Sequence, residues 1–195
     1  MNGKSDIEAP VRSLADRPAE EVVKSDPGEQ DLHTDPDAAE DEGNPAAVAA
    51  VTNWRVAKGL LALRDQVNAK FPGRSKASDG TIGDEHHCGH SGASSDHCPH
   101  VSDGGVGVVT AMDITHDPAH GLNSEALAEA IRQSRDPRVK YIISNRKIAN
   151  FQALDGKPPF AWRDYNGANP HNKHVHISMR GEKSHYDNTT SWTIG

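Results

Sequence analysis

The chain has 195 residues, with 21 basic and 28 acidic side chains and a formal charge of −7. Residues 1–50 hold thirteen acids against four bases and no Phe, Trp or Tyr, a local −9 that leaves +2 for the rest. No apolar run approaches the roughly 20 residues of a membrane-spanning helix, and two cysteines are too few for a disulfide-built scaffold.

The acidic first 50 residues bury too little apolar area to offset the entropy of ordering them, and are expected to be a disordered tail or linker. Met1 to Pro10 carries no basic-then-apolar signal pattern, so synthesis in the cytosol is expected, with any export by a separate route. The 145 residues from Val51 onward suit one domain. Its charge gives no reason to expect a nucleic-acid partner, no membrane insertion is expected, and a monomer is the default.

Val56, Leu60, Leu63 and Val67 form one helical stripe that stops before Phe71-Pro72-Gly73. Residues 73–105 are rich in Gly, Ser, Asp and His and read as a long ordered loop, a length usually kept for function. Val106 to Thr115 reads as one strand. Asn123 is placed to cap a helix through about Ser134, with Leu127, Ala130 and Ile131 facing inward. Val139 to Ser144 reads as a strand with Val139, Tyr141 and Ile143 on one face. A Gly/Pro-rich loop with Phe160, Trp162 and Tyr165 follows. His174 to Met179 is the last strand, and the polar stretch from Gly181 is expected to be a peripheral tail. The fold class expected is α+β, a small, mainly antiparallel sheet with flanking helices.

Twelve histidines are unevenly spread, and two clusters frame one aspartate: Ser95-Asp96-His97, Met112-Asp113-Ile114, and His171-x-x-His174-x-His176. Side chains alternate along a strand, so His174, His176 and Ser178 share one face, and Val175, Ile177 and Met179 the other. Asp113 and Ala111 likewise oppose Met112 and Ile114. Neighbouring strands of this kind bring Asp113 and His176 together, with His97 delivered by the loop. Imidazole and carboxylate are both good zinc ligands, and three protein ligands with an open fourth position mark a catalytic rather than a structural ion. An isolated histidine beside an apolar run is usually a surface or hydrogen-bonded residue. Three within six positions on a core strand, with an upstream His and an intrastrand Asp, favour metal.

Ser95-Asp96-His97, the Val108-Val-Thr-Ala-Met-Asp113-Ile-Thr115 segment and His174-Val-His176 resemble the LAS zinc peptidases. That group includes D-Ala-D-Ala carboxypeptidases and dipeptidases, L-alanyl-D-glutamate endopeptidases of phage endolysins, and the penicillin-insensitive murein endopeptidase. The resemblance runs from Asp79 to Ser178. It implies a LAS/hedgehog-like fold, His97, Asp113 and His176 as Zn²⁺ ligands, and His174 beside the metal as a catalytic group. The activity implied is hydrolysis of peptidoglycan stem peptides, in the manner of an endolysin acting on the cell wall or of a virion-associated enzyme.

Two departures stand out. His97 and Asp113 are more widely spaced than the family usually has them. Lys173 occupies the position three before the last ligand, where many members carry an acid as general base. The His171-x-x-His174-x-His176 pattern is closer to the murein endopeptidase, making His174 the first and His171 the second choice of base; Asp84, Glu85 and His87 stand behind them. Trp162, Arg163 and Tyr165 are candidates to line a substrate groove. Alternative functions are a D-Ala-D-Ala carboxypeptidase or dipeptidase, and a non-catalytic zinc-binding module like the hedgehog domains. Cys88 and Cys98, among His86, His87, His90 and His100, allow a second structural zinc, a disulfide, or two free thiols, the last being the default. His116 and His120 read as turn residues.

Overall fold

The computed structural model describes residues 53–81, 88 and 95–195. The acidic segment 1–50 lies outside them, as do Asp84, Glu85, His86, His87 and His90. The described chain is a mixed α+β fold with two sheets and three helices.

Strands β1 (Trp54–Val56), β3 (Val106–Val109) and β2 (Val101–Asp103) form a small sheet in that order, β1 parallel and β2 antiparallel to β3. The larger sheet is antiparallel throughout. Its order is β4 (Ala111–Thr115), β8 (His174–Met179), β5 (Val139–Ser144), β6 (Lys147–Asn150) and β7 (Arg163–Asp164). The single strand expected over 106–115 is therefore two. The chain turns the corner at Thr110, whose N–H donates to the Asp96 carbonyl (3.1 Å) and whose carbonyl accepts from Met179 N–H (2.8 Å).

Helix α1 (Lys58–Lys70) buries Leu60, Leu63 and Val67 on the expected stripe and ends ahead of Pro72. Helix α2 (Ser124–Ser134) is capped as expected: Asn123 Oδ1 accepts from the N–H groups of Glu125 (3.0 Å) and Ala126 (3.2 Å). Its inward face is Leu127, Ala128 and Ile131, with Ala130 only half-buried. Both helices share one apolar core with Met112, Ile114, Ile142, Val175, Ile177 and Met179, so they cover one face of the large sheet. The opposite face carries the histidines.

Two differences from the sequence reading have local causes. A register shift between Val139 and Tyr141 in β5 sends Val139 to the helix-covered core, while Tyr141 and Ile143 stay on the other face with Ile148 and Tyr165. The β5–β6 hairpin turns through Asn145 (φ 44°) and Arg146 (φ 61°), a left-handed two-residue turn without the glycine that usually announces it.

The stretch after Gly181 is not peripheral. Helix α3 (Lys183–Tyr186) buries Tyr186, and Trp192 is 4 % exposed. Trp192 Nε1 donates to the Gly59 carbonyl (2.9 Å), and the Arg138 guanidinium stacks 3.8 Å from its ring centroid. A Cβ on Gly59 would lie 2.9 Å from the Asn188 carbonyl and 3.0 Å from that of Tyr186. Alanine normally stabilises a helix interior over glycine by about 1 kcal/mol. Gly59→Ala is expected to do the reverse and lower the melting temperature, because backbone oxygens cannot step aside.

Candidate metal centre

β4 and β8 pair with Asp113 directly opposite His176, and β5 places Ile143 against His176 on the other side. The register alone therefore sets the aspartate beside the imidazole. A second segment flanks the outer edge of β4: Asp113 N–H donates to the Gly80 carbonyl (2.8 Å) and Gly80 N–H returns a bond to Asp113 (3.3 Å). That segment is anchored by a buried ion pair the sequence did not disclose. Arg74 grips both oxygens of Asp79 (2.8 and 2.6 Å), and Asp79 Oδ1 also accepts from the backbone and hydroxyl of Thr115 (2.9 and 2.7 Å).

The loop supplies the third group. Asp96 ties it to the sheet through its carbonyl, bonded to Thr110, and through its carboxylate, 3.2 Å from Lys140 Nζ. His97 then projects over β4 and β8. Its Nε2 lies 3.1 Å from His176 Nδ1 and 3.2 Å from Asp113 Oδ2, and His176 Nδ1 lies 3.1 Å from Asp113 Oδ1. The three residues form the His/Asp group able to hold a metal ion among the described residues. A tetrahedral ion with N and O ligands roughly 2.0–2.1 Å away holds them roughly 3.3 Å from one another. The observed triangle is close to that size.

The outer nitrogens support the fit. His97 Nδ1 lies 3.2 Å from the Thr81 carbonyl, which only accepts, so this nitrogen carries the proton and Nε2 turns a lone pair inward. His176 Nε2 is 2.9 Å from Ser178 Oγ, which accepts its proton in the tautomer that leaves Nδ1 free for a cation. Outer partners of this kind orient metal-binding histidines and fix their tautomer. Two lone pairs and a carboxylate then converge without a donor, an arrangement a cation resolves. Tyr141 stacks on His176, ring centroids 5.4 Å apart and planes 9° apart, and fixes its orientation.

Burial alone would raise the Asp113 carboxyl, but the charge that His97 and His174 carry when protonated, with the hydrogen bonds His176 and His97 donate in that form rather than in the metal-ready tautomer, holds it well below the ordinary carboxylate range. Its contribution to stability is therefore fully present above about pH 4 and is lost only as the pH falls through that lowered folded value.

His174 is 2 % exposed, and neither ring nitrogen has a hydrogen-bond partner among the described residues; Nε2 stands 3.9 Å from Asp113 Oδ1. Buried polar groups are nearly always paired, and an exception calls for a reason. His171 is held in a left-handed backbone conformation (φ 49°), its Nδ1 3.0 Å from the Asn169 carbonyl and its ring edge-on to His174 at 5.0 Å. His174 and His176 thus stand against Asp113, and His171 packs edge-on to both imidazoles.

The other sequence candidates divide. Tyr165 is buried, with its ring edge-on to His171 at 5.4 Å. Trp162 turns to the helix side, where Nε1 donates to Glu129 of α2 (2.8 Å). Arg163 is engaged by Asp155 (2.5 Å) and Asn150 (2.6 Å) at the far edge of the sheet. Lys173 is exposed. Cys88 and Cys98 are joined in a disulfide, so the free thiols of the default reading and the second zinc are both set aside. His116 and His120 serve the turn before α2, bonded to Ser124 (3.0 Å) and Asp117 (2.8 Å). Thr81, Tyr141 and the Arg74–Asp79 pair were missed. Ser178 alone had a signal, two residues after His176 on the same strand face.

No protein-family model matches the chain, and no curated protein or solved structure was found to be similar to it. No helix among the described residues is long and apolar enough to cross a membrane.

Proposed function

We propose that the protein is a zinc peptidase of the LAS type that hydrolyses the stem peptides of bacterial peptidoglycan, with His97, Asp113 and His176 as zinc ligands. The observation that carries this is the meeting of His97 Nε2, His176 Nδ1 and the Asp113 carboxylate within 3.2 Å of one another on a buried strand face. Two nitrogens and one oxygen in this geometry suit Zn²⁺, and three protein ligands leave one position open. Bound zinc supplies Lewis acidity toward water and the scissile carbonyl.

The chain's own groups do the rest. His174 stands beside the ligands with both nitrogens uncommitted, and takes or delivers a proton at the reacting centre. His171, its Nδ1 against the Asn169 carbonyl, stands edge-on to His174 and orients that ring. Tyr165 packs against His171 and borders the site. The exposed Lys173 takes no part as a base, which falls to the buried imidazoles. The disulfide suits work in an oxidising setting outside the cytosol, as a wall enzyme requires.

Incubation with purified peptidoglycan, followed by mass spectrometry of the muropeptides, tests the reading. New free amino groups and shortened stems are expected, with loss of terminal D-Ala alone pointing to carboxypeptidase action. Protein that retains zinc yet leaves every stem intact would show the non-catalytic module instead.

A further inference from the structure

Two of the three metal-binding groups stand on adjacent, directly paired strands, Asp113 on β4 and His176 on β8. The third, His97, comes from outside the sheet. The chain's two cysteines are joined beside it: Cys98 follows His97 immediately and is wholly buried, and Cys88 Sγ lies 4.0 Å from the His97 carbonyl. The covalent cross-link is thus placed at the one ligand that the strand register does not fix. We infer that the Cys88–Cys98 disulfide is a positioning element for His97, and that metal affinity, and with it activity, depends on its oxidation. This inference rests on the metal site proposed above.

The physical argument concerns the ligand before the ion arrives. A cross-link between residues ten apart removes loop conformations in which His97 is elsewhere. Among the described residues, the ties between this segment and the rest of the fold include single hydrogen bonds from His97 to Thr81 and between Asp96 and Thr110, and the Asp96–Lys140 ion pair. With the disulfide open, His97 samples positions away from Asp113 and His176, and the ion must supply the ordering free energy. The dithiol becomes the disulfide by thiol exchange, two electrons and two protons passing to a disulfide-bearing oxidant such as oxidised glutathione, which leaves as two thiols. Newly made, reduced protein therefore holds the ion weakly, and protein reaching an oxidising compartment holds it tightly.

The test compares zinc affinity, by chelator competition, of the oxidised protein and the Cys88→Ser/Cys98→Ser variant, which carries no competing thiolates. The expected result is a roughly 10- to 100-fold weaker affinity in the variant, the scale seen when groups orienting a ligand are lost. Wild-type protein reduced with a phosphine should lose hydrolytic rate and regain it on reoxidation with oxidised glutathione. Should the double variant fold poorly, Cys88→Ser alone, at a half-buried sulfur, makes the same comparison. Equal affinity with and without the disulfide would overturn the inference and leave the metal site standing. Failure of the oxidised protein to bind zinc would overturn both.

Discussion

Asp113→Ala is expected to abolish stoichiometric zinc binding and to reduce peptidoglycan hydrolysis to background. Asp113 is the only anionic member of the proposed metal triad, and it touches both imidazoles, His176 at 3.1 Å and His97 at 3.2 Å. A divalent cation left with two neutral nitrogens in a buried site has no compensating charge. Removing one partner of a buried charge pair costs roughly 3–5 kcal/mol, equivalent to at least about a hundredfold in affinity. Asp113→Asn keeps the shape and removes only the charge, so it should lose most of the same affinity. Metal analysis of the dialysed variants beside wild type makes the measurement. A variant that keeps one zinc per chain would show that the carboxylate is not a ligand.

His174→Ala separates chemistry from binding. The histidine lies next to the triad without belonging to it, so zinc content should remain one per chain. The rate should fall by roughly two to four orders of magnitude, the range for loss of a general acid or base. The accompanying stability change is diagnostic. An unsatisfied buried polar group costs about 1–3 kcal/mol, and His174 carries two such nitrogens. Truncation removes that cost together with some packing, so the metal-free variant should melt no lower than metal-free wild type. A residue that was merely structural would give the opposite pattern, a lower melting temperature with activity kept in what remains folded.

Much of the site was legible because β8 obeys a period of two and its two faces have opposite chemistry. Val175, Ile177 and Met179 enter the core shared with α1 and α2, which leaves His174, His176 and Ser178 together on the other side. The same alternation in β4 separates Asp113 from Met112 and Ile114. Period-two reasoning cannot see a corner or a bulge. It therefore merged β3 with β4 across Thr110 and grouped Val139 with Tyr141 across the register shift.

Interactions between distant, unpatterned residues were equally invisible. The Arg74–Asp79 pair that carries the Gly80 segment to β4 has no periodic signature, and the sparse apolar residues after Gly181 gave no hint that Trp192 reaches across to Gly59. The cysteines show a different limit, since ten residues of spacing suited a thiol pair, a zinc site and a disulfide alike. Trp162 and Arg163 were chosen as groove residues because they lie near the His cluster in sequence. β7, which begins at Arg163, joins the sheet at the edge away from β4, and Trp162 is bonded to Glu129 of α2.

The most direct test of the metal centre is a crystal structure of zinc-loaded protein with anomalous data collected at the zinc edge. One peak bonded to His97 Nε2, Asp113 and His176 Nδ1, with a non-protein atom in the remaining position and His174 beside it, is the predicted result. A zinc peak elsewhere on the chain, or none between these three groups in protein shown to hold the ion, would contradict the account.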